Sequence, residues 1–206
     1  MNVIELSAQA GLFAIWLLTA NIVMGLLLSV RYNPLRSWPH RRINYFTLHN
    51  WTGYIALAIA VFHAAILPLS ATANWQWSQV LWPAGTSQAT MNIVGAISLY
   101  LLIIVVVTSY VRRALGRSLW KAVHYAGYAS AALFYLHGLI LDPKLQNRPV
   151  DWIDAEKVSI EACILLVAIG TALRVRWSMR KRAKGRVREI PNWQEPVPTE
   201  WTEETA

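Results

Sequence analysis

Histidine pairs inside apolar segments are the feature that most constrains this chain. Residues 48–66 read LHNWTGYIALAIAVFHAAI, with His49 and His63 near the two ends. Residues 124–140 read HYAGYASAALFYLHGLI and repeat the arrangement with His124 and His137. Neither segment contains a charged residue, and together they hold four of the five histidines of the chain. Because a polar ring is costly in apolar surroundings unless it has a partner, the fold must give these side chains partners.

The apolar runs are long enough to cross a lipid bilayer. A transmembrane helix needs about 20 apolar residues. With 55% hydrophobic and 15% charged residues, the chain is also too apolar for an ordinary soluble domain. We predict an all-α membrane protein, a bundle of about five transmembrane helices at 6–30, 48–69, 91–111, 119–141 and 158–175.

The domain organisation follows from these runs. Residues 1–175 are predicted to form one transmembrane domain, and residues 176–206 a tail that is first basic and then acidic. The single cysteine, Cys163, excludes an intrachain disulfide and the C-x-x-C-H haem attachment motif. It is predicted to be a small packing residue of the last span.

The basic residues predict the orientation in the membrane. Segments 31–42, 112–121 and 174–188 hold 16 of the 19 Lys and Arg residues. Because positive residues favour the cytoplasmic side, the N-terminus is predicted outside and the C-terminus inside a plasma membrane, such as the bacterial inner membrane. The basic residues that give the net charge of +8 are predicted to set this orientation and to contact anionic lipid. No nucleic-acid partner is predicted.

The same topology pairs the histidines by depth. Both histidine segments enter the membrane from the cytoplasmic side, so His49 and His124 lie at one depth, here called the first level. His63 and His137 lie at another depth, the second level. At about 1.5 Å rise per residue the two levels are roughly 20 Å apart. Each level therefore offers two imidazoles from two different helices.

The two segments differ in length by one residue. The spacing is fourteen residues from His49 to His63 and thirteen from His124 to His137, although Gly53 and Gly127 both precede the second histidine by ten. The missing residue therefore lies between the first histidine and the glycine. We predict a local change of helical winding there.

Two imidazoles per level favour haem over a metal held by protein alone. Zinc and copper usually take three or four protein ligands, and neither level is predicted to hold a carboxylate, a cysteine or a third histidine. Haem iron takes two axial ligands, because the porphyrin supplies the other four. We therefore predict two b-type haems stacked across the membrane. With both axial positions filled, electron transfer is the chemistry this arrangement favours.

Other residues are predicted to contact these cofactors. Gly53 and Gly127 would let a large flat ligand approach the backbone, although glycine in membrane helices also serves helix packing. Arg113 and Arg117, in the basic turn before His124, are predicted to pair with the anionic propionates of the haem at the first level.

The histidine pairs, together with VTSYVRRALGRSLWKAVHYAGY at 107–128, resemble a known haem-binding domain. It is shared by ferric reductases, NADPH oxidases and the haem subunit of the periplasmic methionine sulfoxide reductase system. Over about residues 8–175, the resemblance implies that His49 and His124 bind the inner haem and that His63 and His137 bind the outer haem. Family members commonly have six spans, and some continue into a flavin and NADPH domain that is not found in this sequence.

The function predicted is transmembrane electron transfer, as the membrane subunit of an oxidoreductase system. The expected donor is a cytoplasmic flavin or iron–sulfur protein, a bound flavin, or a membrane quinol or quinone. The expected acceptor is an outer protein or a ferric substrate. Two alternatives remain open: a quinol-linked cytochrome b subunit, and a non-catalytic anchor for partner proteins whose histidines only join helices.

Overall fold

The computed structural model describes residues 2–30, 32, 44–86, 88–141 and 153–188. The chain divides into two compact units, Met1–Thr171 and Ala172–Ala206. A short 3₁₀ helix covers Leu67–Leu69. The α-helices of the described residues are α1 (Val3–Ser29), α2 (Tyr45–Ala65), α3 (Trp77–Leu81), α4 (Ala89–Tyr110), α5 (Arg112–Leu115), α6 (Arg117–His124), α7 (Ala126–Ile140) and α8 (Ala155–Arg188).

Four helical segments within the described residues are long and apolar enough to cross a membrane. They match four of the five predicted spans. The remaining span, predicted at 119–141, is not one continuous helix in the structure. It is divided into α6 and α7, and α7 alone has only 15 residues. The four candidate spans are Val3–Ser29, Tyr45–Leu69, Ala89–Tyr110 and Ala155–Ala183.

The division lies at Tyr125, between His124 and Gly127. The Tyr128 N–H donates to the Tyr125 carbonyl at 3.1 Å, three residues back instead of four. A three-residue turn advances the chain through a full rotation with fewer residues than an α-helical turn. It therefore restores most of the helical rotation that the missing residue would have supplied in this segment. The predicted change of winding between the first histidine and the glycine is confirmed.

Local sequence sets the ends of the helices that carry the histidines. The Asn44 side chain accepts hydrogen bonds from the backbone of Phe46 and Thr47, which caps the start of α2. Pro68 cannot donate a helical hydrogen bond, so α2 gives way to the 3₁₀ helix. Gly116 adopts a φ of 73° between α5 and α6, a conformation that favours glycine.

Within the first unit, α1 packs against α2 and α4 packs against α7. In the second of these pairs, the Ser98 hydroxyl donates to the Ser130 carbonyl at 2.7 Å, and the Ser130 hydroxyl donates to the Ser98 carbonyl at 2.9 Å. Both serines are fully buried. Small side chains let helix backbones approach closely in a membrane, and these reciprocal bonds satisfy the polar atoms at the contact.

The apolar core lies between the two histidine levels along each helix. It includes Leu18 from α1, Ala60 from α2, Leu102 from α4 and Phe134 from α7, all of them buried. Ile160 of α8 joins the same cluster. Between the two levels the helices therefore pack mainly through apolar side chains, together with buried polar groups that are hydrogen-bonded to each other, such as Thr19 and Tyr135.

In the second unit, the described residues 172–188 are helical. The Trp177 ring faces two cations, with Arg174 Cζ at 5.7 Å and Lys181 Nζ at 5.4 Å from its centre. Residues 189–206 of the predicted tail lie outside the described residues, as does most of the basic segment 31–42. The orientation of the helices in a membrane therefore stays a prediction.

Candidate functional site

The four histidine rings meet in two pairs. His49 of α2 and His124 of α6 have ring centres 6.3 Å apart, with their planes at 68°. His63 of α2 and His137 of α7 have ring centres 6.2 Å apart, with their planes at 77°. The structure thus brings together the residues that the sequence pairs by depth.

The separation within each pair fits two ligands of one metal. A metal–imidazole bond is about 2 Å long and the ring centre lies about 1 Å behind the ligating nitrogen, so two imidazoles on opposite sides of one metal have centres about 6 Å apart. The separations of 6.3 and 6.2 Å agree with this value. The geometry fits a haem iron between each pair, and the role of the histidines as ligands stays a prediction.

Three of the rings are held through Nδ1 by a backbone carbonyl of a neighbouring helix. His63 bonds the Ser7 carbonyl at 2.7 Å, and His137 bonds the Met91 carbonyl at 2.7 Å. His49 bonds the Asn21 carbonyl at 3.1 Å. A carbonyl can only accept, so Nδ1 must carry the proton in each ring. The lone pair then resides on Nε2, which is the arrangement a metal-ligating histidine requires.

Each of these carbonyls lies four residues before a glycine. If Gly11 were alanine, its Cβ would lie 2.9 Å from Nδ1 of His63, and an alanine Cβ at Gly95 would lie 2.8 Å from Nδ1 of His137. At Gly25 the Cβ would lie 3.3 Å from Cε1 of His49. Helical side chains lean toward the N-terminus, so a side chain four residues on covers the carbonyl. Glycine therefore exposes the carbonyl to the imidazole.

These glycines were not predicted from the sequence, although a signal for them exists. Gly11 and Gly25 are fourteen residues apart in α1, the same spacing as that of His49 and His63 in α2. Antiparallel helices with equal spacings bring a glycine to each histidine. The pair α4 and α7 repeats this plan, with Gly95 opposite His137. The site is therefore built from two similar helix pairs.

The Ser7 hydroxyl also lies 3.0 Å from His63 Nδ1, but at His124 a serine hydroxyl takes the place of the backbone carbonyl that the other three rings bond. The His124 Nδ1 lies 3.2 Å from the Ser109 hydroxyl, which itself donates to the Val105 carbonyl at 2.6 Å. Because the hydroxyl proton is already used, the Ser109 oxygen accepts from Nδ1. Trp120 Nε1 donates to the same oxygen at 3.4 Å, and the Trp120 ring lies 5.1 Å from that of His124. His124 therefore also carries its proton on Nδ1.

Gly53 and Gly127 lie within the same helices but do not face the histidine rings. A Cβ at Gly53 would lie 3.3 Å from the side-chain nitrogen of Asn21, and one at Gly127 would lie 3.8 Å from Val105 Cγ1. The Asn21 side chain also bonds the His49 carbonyl and, at 2.8 Å, the Thr52 hydroxyl. The contacts at both glycines are those of helix packing. Their predicted role in clearing space for a cofactor stays a prediction.

The predicted arginines differ in their surroundings. Arg113 lines a cavity of about 400 Å³ with Asn50, Tyr54 and Ser109. Since Ser109 also bonds His124, this cavity lies beside the first level. Arg117 begins α6 and does not line this cavity, although both arginines are exposed. Arg112, which precedes them, places its guanidinium carbon 4.7 Å from the centre of the Phe46 ring and so joins the basic turn to the start of α2.

Each level offers two histidines, the number of ligands that haem iron takes from a protein. Within the residues described, three or more His, Cys, Asp or Glu side chains nowhere gather in a group that could hold a metal ion. The family model described as the ferric reductase like transmembrane component matches residues 11–135, more than half of the chain. No curated protein and no solved structure matches the chain. The matched region contains Gly11, Gly25, His49, His63, Gly95, Ser109 and His124, and ends two residues before His137.

Proposed function

This chain belongs to the ferric reductase-like transmembrane family, and we propose that it is a membrane electron-transfer subunit holding two haems b. One haem would be bound by His49 and His124, and the other by His63 and His137. The observation that carries the proposal is the pairing of four rings at 6.3 and 6.2 Å, the separation expected of two axial ligands.

Haem, when bound, supplies one-electron redox chemistry. The side chains of this protein would position the haem and restrict it to electron transfer. With two histidines bound to it, each iron would have no ligand position left for oxygen or another substrate. The bonds from Nδ1 hold each ring in orientation and raise its basicity. The apolar residues between the levels, among them Leu18, Leu102 and Phe134, would limit the access of water to the space between two bound haems.

The donor and acceptor are proposed from the predicted topology. The basic turn at 112–121 lies beside the first level and would face the cytoplasm. Such a surface favours an acidic donor, so we propose a cytoplasmic flavin or iron–sulfur protein, with a bound flavin or membrane quinol as the other sources. The second level would deliver electrons to an outer protein or a ferric substrate. This arrangement would place the chain in a plasma membrane with its N-terminus outside.

An absorption spectrum of the protein purified in detergent tests the proposal directly. We expect a b-type signal that appears on reduction with dithionite, and two haems for each chain by pyridine haemochrome analysis. A spectrum without haem, from protein supplied with haem during expression, would instead support the anchor function. Rapid reduction of the haem by a quinol in the same preparation would favour the quinol-linked alternative.

Neutralising Arg113 tests the predicted contact with haem propionates. We expect Arg113→Gln to shift the potential of the first-level haem or to weaken its retention, because this residue lines the cavity beside His124 through Ser109. Arg117→Gln tests the other predicted propionate partner, since it removes the same charge four residues away at a position that does not line this cavity. Redox titration of both variants provides the measurement. Equal effects of the two substitutions would show that only the overall positive charge matters.

A further inference from the structure

The fourth histidine site departs from a pattern that the other three share. Ser7 and Gly11, Asn21 and Gly25, and Met91 and Gly95 each supply a carbonyl and, four residues later, a glycine that exposes it. The corresponding pair at His124 is Val105 and Ser109. Its position is set by spacing, because Gly95 and Ser109 are fourteen residues apart, as are Gly11 and Gly25.

With serine at this position, the hydrogen bond between the carbonyl and the histidine becomes indirect. The Ser109 Cβ covers the Val105 carbonyl, and the hydroxyl takes over the bond by donating to that carbonyl at 2.6 Å and accepting from His124. The Ser109 oxygen is shared with Trp120 Nε1. The bond to His124 is 3.2 Å long, close to the 3.1 Å of the His49 bond and longer than the 2.7 Å of the bonds at His63 and His137, so the change of acceptor rather than length distinguishes His124.

We propose that Ser109 is a positioning residue that relays the Val105 carbonyl to His124 and so tunes the potential of the first-level haem. This inference rests on the proposed function. A histidine whose Nδ1 proton is bonded to an acceptor is a more basic ligand. A more basic ligand stabilises ferric over ferrous iron and lowers the potential. A shared hydroxyl oxygen accepts less strongly than a backbone carbonyl, so Ser109 holds this potential above the value a glycine would give.

Two substitutions at Ser109 separate hydrogen bonding from packing. Ser109→Ala keeps the Cβ that covers the Val105 carbonyl but removes the hydroxyl, so His124 loses its acceptor. We expect a higher potential for the first-level haem and about 10- to 100-fold weaker haem affinity there. Ser109→Gly removes the Cβ as well and recreates the arrangement of the other three sites. It is expected to retain the haem, with a potential below that of the wild-type protein.

Redox titration and haem content of the full-length protein provide the measurements. The second-level haem is the internal control, because its histidines bond Ser7 and Met91, and its potential should not change. Opposite shifts of the first-level haem in the two variants support the relay. Shifts in the same direction, or a wild-type potential in Ser109→Ala, would overturn it. Wild-type protein without two haem components would overturn the proposed function instead, so the two failures are distinguishable.

Discussion

Substitution of His63 or His137 by alanine is expected to remove one and the same haem and to leave the other in place. The rings of these two histidines are 6.2 Å apart, whereas the first-level pair lies about fourteen residues away along α2. At about 1.5 Å per residue that separation is roughly 20 Å, which no single iron can bridge. Loss of one ring therefore removes a ligand from one haem only and leaves the ligands of the other haem intact. His49→Ala and His124→Ala should remove the other haem.

Haem content and redox titration together measure this effect. Each single variant should keep one haem per chain, and the two variants of one level should retain a component of the same potential. His40→Ala is the control, because it removes the fifth histidine, which lies outside the apolar segments. It should keep both haems. If His49→Ala and His63→Ala instead lost the same component, pairing by depth would be wrong, and the two-haem proposal with it.

The pairing of the histidines could be predicted from the sequence because it depends on quantities that the sequence carries. Apolar run length predicts which segments cross the membrane, and the order of the spans predicts which of them run in the same direction. Two segments with the same direction and nearly equal histidine spacing then place their rings at matching depths. Even the change of winding at Tyr125 followed from one missing residue between His124 and Gly127.

The supporting contacts of the rings were harder to predict, for two different reasons. The acceptors at Ser7, Asn21 and Met91 are backbone carbonyls, which every residue has, so residue type carries no signal for them. The glycines opposite the rings do carry a signal, but only once the helix that packs on each histidine helix is known. The glycines that were predicted, Gly53 and Gly127, lie on the histidine helices themselves.

Hydropathy does not show the break in the span at 119–141, which only the spacing of His124 and Gly127 indicated. An apolar run shows that a segment can reside in a membrane, but it does not show where hydrogen bonding changes from four residues to three. The turn at Tyr125 is favoured by tertiary contacts, since it lets His124 and His137 both meet α2. Spacing thus indicated where the winding changes, whereas the form of the turn depends on packing that length and hydropathy do not describe.

Gly95→Ala is expected to cause selective loss of the second-level haem, with the first-level haem retained. The added Cβ would lie 2.8 Å from both Cε1 and Nδ1 of His137, so the ring must move. Movement breaks the 2.7 Å bond to the Met91 carbonyl and displaces Nε2 from its position opposite His63. Loss of an orienting contact of this kind typically costs about 10- to 100-fold in metal affinity. Haem content at each level, resolved by redox titration, measures the effect.

Gly127→Ala is the matched control, because the same methyl group there would meet Val105 Cγ1 at 3.8 Å, an ordinary contact. Alanine is favoured over glycine within a helix by about 1 kcal/mol, so neither substitution should weaken its helix, and a loss confined to Gly95→Ala must come from the contact with His137. We expect Gly127→Ala to keep both haems at unchanged potentials. The reverse result, with haem lost from Gly127→Ala and kept in Gly95→Ala, would show that Gly127 makes room for the cofactor and that the glycine opposite His137 does not position the ring.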